Sequence, residues 1–583
     1  MTSQSTIETK GFKNTFFLVV FFFLYCLLAS VSSELSLWYN GKTITGEYLF
    51  LSLGSSVLCI VLGILFWYLF TKKKGYKNNK FVLGITTLLF LGNTIALFAF
   101  PTRITITNEF TFISPFVFRL GLIISNLSLS IFIYNFYAFL FLLKKGKKSF
   151  AFIATIIAIM SIFSIIISYF TDFNHYIDFF NGKTVYIASI LGHKNTFGMF
   201  VVFGLMAEVY LFDLDKKWWR LLLVAYLFAS LYPINSKSSL LCAMILVFGY
   251  ILYYGFYCFH KNKKLSIACF VIFATALVTN GLLLIFPSSK DGVLSEFILA
   301  CRSVFFGGDG STIGARYVLY EKVIKQLNLS PLFWIFGYGN GNFQYSFFYA
   351  CDDWSIERIA PTFHAHNGFV QCLACGGIFR LVIYVAFLIY LVYRFIQKFK
   401  KTHNIHMFMS LLFFVTFFAR TLVEPEYLLG DSVKGVVYAF FIVEPILSVD
   451  SQEDLPFKWG YLGDMFHQYG TLFFGALASG SFVFASVYKA RLGLTLFLPL
   501  GLILYGLFAY YSHKEKGNMM VFILTSAFTL ATSLSLAFGL MGEASMTALI
   551  FAYVYGFSLP FLSYLIYDCF FPSSICHTEL LAA

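Results

Sequence analysis

Apolar runs of about 20 residues recur along the whole chain, separated by short polar connections. A hydrocarbon core about 30 Å thick needs roughly 20 apolar helical residues to cross it. The runs predict twelve spans near 14–33, 47–70, 81–101, 114–143, 149–171, 187–212, 218–233, 239–259, 267–287, 367–393, 405–423 and 432–449. Four more are predicted near 468–488, 492–511, 519–541 and 545–569. The one long connection is 288–366. Within it, residues 313–335 carry apolar positions at helical spacing and predict an amphipathic helix near the membrane surface. The pattern therefore predicts an all-α polytopic membrane protein. Residues 1–450 form a core of about 12 helices, and 451–583 form a region of about four helices whose role the pattern leaves unassigned. The start, MTSQSTIETKGFKNTFFLVVFFFLYCLLASVSS, has the basic flank of a signal peptide. Its apolar run is near span length and further spans follow, which predicts a retained first helix.

Composition agrees with this pattern. The chain is 59% hydrophobic and only 12% charged, where soluble domains carry about 25% charged residues. A net charge of +13 would suit nucleic acid, but the lysines sit in short runs between spans, as cytoplasmic membrane loops place them. Nucleic acid is therefore excluded as a partner. Alternate connections hold 21 lysines and arginines, and the short ones between them hold 4. That asymmetry predicts a cytoplasmic N-terminus and puts 288–366 outside. The 11 cysteines form no metal-ligand pattern, and no cofactor is expected. Cys372 and Cys375 lie on a predicted membrane helix without a second pair and read as core packing. Cys301 and Cys351 both fall in the outer loop, where a disulfide closing it is permitted.

Polar residues break the apolar pattern at one depth. In ILGHKNTFGMF, His193, Lys194 and Asn195 sit within two turns of the expected outer surface. Lys237 of PINSKSSLL falls at the outer end of the next hairpin, Arg119 lies just inside its helix, and Arg420 ends another. His364, His366 and Asn367 stand where the long loop re-enters the membrane. Each has a plainer reading: Lys194 and Arg420 as snorkelling cations, His193 as a packing residue, and Glu424 and Glu426 as ion-pair partners of Arg420. Together, clustered cations without a metal pattern suit a diphosphate, which arginine binds with a bidentate fork and lysine with a point charge. With a diphosphate as leaving group, the same cations stabilise developing charge, and a histidine can take the proton of an attacking hydroxyl.

Four stretches, in order, resemble the O-antigen ligase and O-antigen polymerase superfamily: GHKNTFG, NSKSSLL, ARYVLYEKVIKQLNLSPLFWIFGYGNGNF and HAHNGFVQCLACGG. The resemblance covers roughly 80–450 and departs at Lys237, where arginine is usual, and at Ala374, where relatives often have an acidic residue. It implies a metal-independent glycosyltransferase of the bacterial cytoplasmic membrane. Such an enzyme transfers a glycan from undecaprenyl diphosphate to an acceptor sugar hydroxyl on the outer face. Carried over by position, Arg316 and Lys237 hold the diphosphate and His366 orients or deprotonates the acceptor. His193, Lys194, Asn195, Asn367, and Gly337 and Gly339 of the Gly-x-Gly turn line the site, with Arg119 and Arg420 as further candidates. Polymerase, ligase and protein O-oligosaccharyltransferase share this chemistry. The polymerase is favoured because the loop lacks a large folded outer domain, and a chain-length regulator and a flippase are its expected protein partners. A transporter for the same lipid-linked glycans is the rival from another class, and it predicts internal inverted repeats.

The charge asymmetry makes a direct prediction. A single cysteine at Gly308 should react with a membrane-impermeant maleimide in intact cells, and one at Lys145 should react only after permeabilisation. The reverse labelling would invert the topology.

Overall fold

In the computed structural model the described residues are 80–99, 115–142, 147–170, 194–234, 236–259, 261–285, 312–337, 365–428, 433–448, 460–487, 497–514 and 518–539, with single positions between 56 and 67 and between 553 and 567. Every regular element among them is helical. The first compact unit contains α1 (Lys80–Ala99), α2 (Pro115–Leu142), α3 (Lys147–Phe170), α4 (Lys194–Asp215), α5 (Trp219–Ile234), α6 (Lys237–Cys258) and α7 (Lys263–Ile285). It continues through α8 (Thr312–Leu327), α9 (Pro331–Phe336), α10 (Gly368–Thr402), α11 (Phe408–Thr421) and α12 (Val433–Ser448). A second unit holds α13 (Gly460–Val487), α14 (Leu498–Lys514) and α15 (Asn518–Gly539). Among the described residues, Asn195–Asp215, Ser238–Cys258 and Gly368–Thr402 are long and apolar enough to cross a membrane, and six shorter apolar helices accompany them.

The described helices follow the predicted spans between 81 and 541, with two informative differences. The span predicted at 14–33, and with it the retained first helix, lies outside the described residues, as do parts of 47–70 and 545–569. The tenth span, expected over 367–393, continues to Thr402 and stops where His403 takes a left-handed φ of 49°. Its added residues read RFIQKFKKT, in which the strong helix formers Arg, Gln and Lys dominate. The segment expected as one amphipathic helix over 313–335 is two helices. Pro331 opens the second, and a residue before proline is pushed out of the α region. Ser330 is accordingly extended, at φ −156° and ψ 138°, and its hydroxyl caps α9 by accepting from the Leu332 amide.

Helix α4 runs through the centre of the first unit. From Phe197 to Phe212 every residue but Phe200 is buried, against α3, α5 and α6. A helix apolar on every face must be enclosed, and one that also carries Glu208 must supply that carboxylate with a partner. Arg220, itself 2% exposed, donates to Glu208 Oε2 at 3.0 Å and to Asp215 Oδ2 at 2.9 Å. Asp213 faces His406 Nδ1 at 2.5 Å and Lys216 Nζ at 2.6 Å. These contacts fasten the C-terminal end of α4 to α5 and to the short turn Ile405–Met407. In the second unit α13 packs on α14 and α15, with Ser479 Oγ 3.0 Å from Thr529 Oγ1 and 3.3 Å from Tyr505 Oη.

Helix α10 kinks at Gly377, whose φ of 63° lies outside the helical region. Gly337, at φ 67°, ends α9 directly against it. A Cβ on Gly337 would stand 2.5 Å from the Gly376 amide nitrogen, and one on Gly377 would collide with the Ile335 carbonyl group. Two glycines thus let the backbones of α9 and α10 touch. Positive φ with extended ψ, as at Gly377 (φ 63°, ψ −167°), is a region left essentially to glycine and costs another residue on the order of 1–3 kcal/mol before any clash. Gly377→Ala should therefore lower the thermal midpoint of the detergent-solubilised protein by several degrees, whereas Gly84→Ala on α1, where nothing lies within 4 Å of the new methyl, should leave it unchanged or raise it.

Candidate functional site

Four helix ends meet at the opposite end of α4: the starts of α4, α6 and α10 and the finish of α11. Gly198 lets the first two approach, since a Cβ there would stand 2.7 Å from Ser236 Cβ. After α11 the chain turns back on itself, with the amides of Val423 and Glu424 both donating to the Arg420 carbonyl at 3.0 and 2.8 Å. This turn brings Glu424 and Glu426 alongside the last turn of α11.

Arg420 is 1% exposed. Its Nε donates to Glu426 Oε1 at 3.1 Å, one terminal nitrogen reaches the hydroxyls of Ser238 and Ser239, and the other reaches the Asn195 carbonyl at 3.4 Å. A buried guanidinium needs a carboxylate and a satisfied fork to be tolerated. The second helix, α12, adds Lys434 Nζ at 3.9 Å from the same Glu426 oxygen.

Glu424, 5% exposed, serves two partners. Its Oε1 accepts from Asn195 Nδ2 at 3.2 Å, and its Oε2 lies 3.4 Å from His366 Nδ1. The other end of the Asn195 amide continues the chain: Ser236 Oγ is 3.1 Å from Asn195 Oδ1 and 2.9 Å from Ser239 Oγ. His366 is open to its surroundings, with 27% of its side chain exposed. Its φ of 51° places it in the left-handed region, a conformation that holds only where the surroundings enforce it and that gathers at functional sites. The enforcement comes from Asn367, the next residue. Its Oδ1 caps α10 by accepting from the Phe369 and Val370 amides at 2.9 and 3.1 Å, and its Nδ2 donates to the Leu422 carbonyl at 3.0 Å. Both ends of that amide are thereby committed to holding α10 against the turn after α11.

The expected residues fall into three groups. Asn195, His366, Asn367 and Arg420 come together around the two glutamates. Lys194 opens α4, Lys237 opens α6 beside Ser236 and Ser238, Arg316 stands in the second turn of α8, and Arg119 stands near the start of α2; these four are placed by backbone, their side chains lying outside the described residues. His193, Gly339, His364, Cys301 and Cys351 are outside the described residues altogether. Gly337 is buried in the contact between α9 and α10. Cys372 and Cys375 are buried, and Cys375 accepts from Gln371 Nε2 at 3.3 Å and packs among Leu319, Leu327 and Phe333.

Sequence reading took Glu424 only as a partner for Arg420. It is instead the hinge between Asn195 and His366, and Glu426 is the partner of the arginine. Two acids so close in sequence, separated only by Pro425, carried no signal that one would face each way. Arg380 also went unremarked. It is 4% exposed within the apolar span of α10 and lies 5.0 Å over the Tyr427 ring. A charge inside an apolar run was the available signal.

Residues 199–385 match the family model described as O-antigen ligase. His366 and Lys237 lie inside the match, and Asn195, Arg420, Glu424 and Glu426 flank it. No curated protein matches the chain. Over residues 199–385, 187 of its 583 residues, the chain is similar to O-antigen ligases, and the match supports the O-antigen ligase and polymerase superfamily.

Proposed function

We propose that the protein is a bacterial surface-polysaccharide polymerase. It transfers a glycan from undecaprenyl diphosphate to an acceptor sugar hydroxyl at the outer face of the cytoplasmic membrane. The observation that carries this reading is the contact of His366 with Glu424 inside a network of buried polar groups at the converging helix ends.

Glu424 Oε2 faces Nδ1 of His366 at 3.4 Å, and an imidazole whose Nδ1 is turned toward a carboxylate takes up a proton through its other nitrogen. The acceptor oxygen attacks the anomeric carbon, its proton passes to Nε2 of His366, and the bond between that carbon and the diphosphate oxygen breaks. The leaving lipid diphosphate then carries the electron pair. Its charge must meet cations in place before the reaction. Arg420 is already neutralised by Glu426, so its role is positioning: it holds α6, α4 and the turn after α11 together. Arg316 and Lys237 are the cations assigned to the diphosphate, with Lys194 and Arg119 as further candidates. Asn195 and Asn367 position Glu424 and His366, Gly337 acts by seating α9 on α10, and Gly339 is assigned to substrate binding. No step needs a metal ion or a cofactor.

Purified protein given an undecaprenyl-diphosphate oligosaccharide should build a ladder of products. Transfer of a single unit would identify a ligase instead, and no transfer would remove the enzymatic reading. His366→Ala should reduce the ladder by about 100- to 10,000-fold, the span of a lost proton-transfer group, while donor binding persists. His364→Ala should keep most activity, and the opposite outcome at equal expression would reassign the base.

Glu424→Gln keeps the shape of the side chain and removes its charge. It should lower turnover in the same direction as the histidine change but by less, and shift the pH–rate profile, because the imidazolium formed in the reaction loses its counter-ion. Turnover and profile both unchanged would mean that Glu424 has no part in the chemistry.

A further inference from the structure

The hairpin of α8 and α9 has two contrasting faces. Leu319, Val323, Leu327 and Phe333 pack against Ala365, Ala374 and Cys375. Trp334 Nε1 donates to Asn328 Oδ1 at 3.1 Å and closes the turn between the helices. On the side away from this packing, Leu329 is 66% exposed, Leu332 49%, Ile335 46% and Ile324 39%. Four large apolar side chains within a dozen residues are a concentration that water-facing loops avoid.

The place of the hairpin says what covers them. The backbones of Ile335 and Gly337 touch α10 at Gly377 and Gly376, the Phe336 ring lies 5.8 Å from that of Phe379, and α9 also packs on α1. These contacts fall at one rim of an apolar surface. Along α10, exposed apolar residues begin at Ile378 and continue through Val382, Val385, Ile389, Val392, Tyr393 and Ile396. At 1.5 Å per residue that stretch is about 27 Å long, close to the ~30 Å thickness of a hydrocarbon core. Basic residues follow at Lys398, Lys400 and Lys401. On α1, Leu83, Leu88, Leu91 and Ile95 are exposed as well. The apolar tip of the hairpin is therefore continuous with the lipid-facing surfaces of both helices that it packs on. On α8 the exposed side chains of Glu321 and Lys325 pair at 3.2 Å, a combination that suits headgroup level.

We propose that the α8–α9 hairpin is an interfacial anchor. Leu329, Leu332 and Ile335 insert among the acyl chains of the leaflet at the N-terminal end of α10, while Glu321 and Lys325 remain among headgroups. The partner is the phospholipid boundary itself, as for helices that lie in the interface with one apolar face buried. The assignment stands independently of the proposed chemistry.

Nitroxide labels at Leu329→Cys, Leu332→Cys and Glu321→Cys, each in a chain whose other cysteines are replaced, test this in bilayers of phosphatidylethanolamine and phosphatidylglycerol. The ratio of oxygen to nickel-chelate collisions should be several-fold higher at 329 and 332 than at 321. Nickel-dominated collisions at 329 and 332 would show a water-facing tip, and exclusion of both relaxants would show a protein cover; either overturns the proposal. Benzoylphenylalanine at 332, in the chain with all of its own cysteines, should cross-link to phospholipid. Cross-linking to a second copy or to another protein would overturn the proposal equally.

Discussion

A guanidinium buried in a membrane protein sets the terms for the helices around it. Arg420 is enclosed almost completely, and it is tolerated because Glu426, two serine hydroxyls and a backbone carbonyl take up its donors. Those partners come from α4, α6 and the turn after α11. Taking away one member of such a buried pair costs on the order of 3–5 kcal/mol, since the other charge stays behind uncompensated. The arrangement of the helix ends is thus locked to a single electrostatic solution. Glu424 stands in its place beside His366 because Glu426, two residues on, is held by the arginine.

The same logic operates at the far end of α4, where Arg220 takes Glu208 and Asp215, and Asp213 takes His406 and Lys216. One central helix is pinned by hydrogen bonds to charged groups at one end and by ion pairs at the other, and apolar packing fills the length between them. Packing alone would let a helix of uniform hydrophobicity turn about its axis or slide, because one apolar face serves as well as another. Buried polar contacts are specific in direction and remove that freedom. That restriction is what brings Asn195 to Glu424, since the two meet in only one orientation of α4.

The helices were legible because a bilayer imposes their length, and length survives in a hydropathy pattern whatever the neighbours are. The break at Pro331 was also written in the chain, through the constraint that proline puts on Ser330, yet the helical spacing on either side masked it. The site was partly legible. Asn195, His366, Asn367 and Arg420 announced themselves as polar residues in apolar surroundings, and they are in fact neighbours. What periodicity could not show was pairing. Whether Glu424 or Glu426 meets Arg420, and whether Asn367 offers its amide to a ligand or spends it capping α10, depends on a turn of a few residues, and turn geometry leaves no periodic trace. The contact of Gly337 with Gly376 was hidden for a related reason: a glycine marks a close approach without naming what approaches.

That contact has a further consequence. Residues 338–364 depart from α10 at Gly337, against Gly376, and return to it at Ala365, whose amide donates to Gln371 Oε1 at 2.7 Å. The two ends of the segment are clamped to the same stretch of one helix. His366 sits one residue beyond that clamp. Its position is therefore set by α10 and the cap on its first turn, and the span between the two anchors stays the same whatever chain joins them.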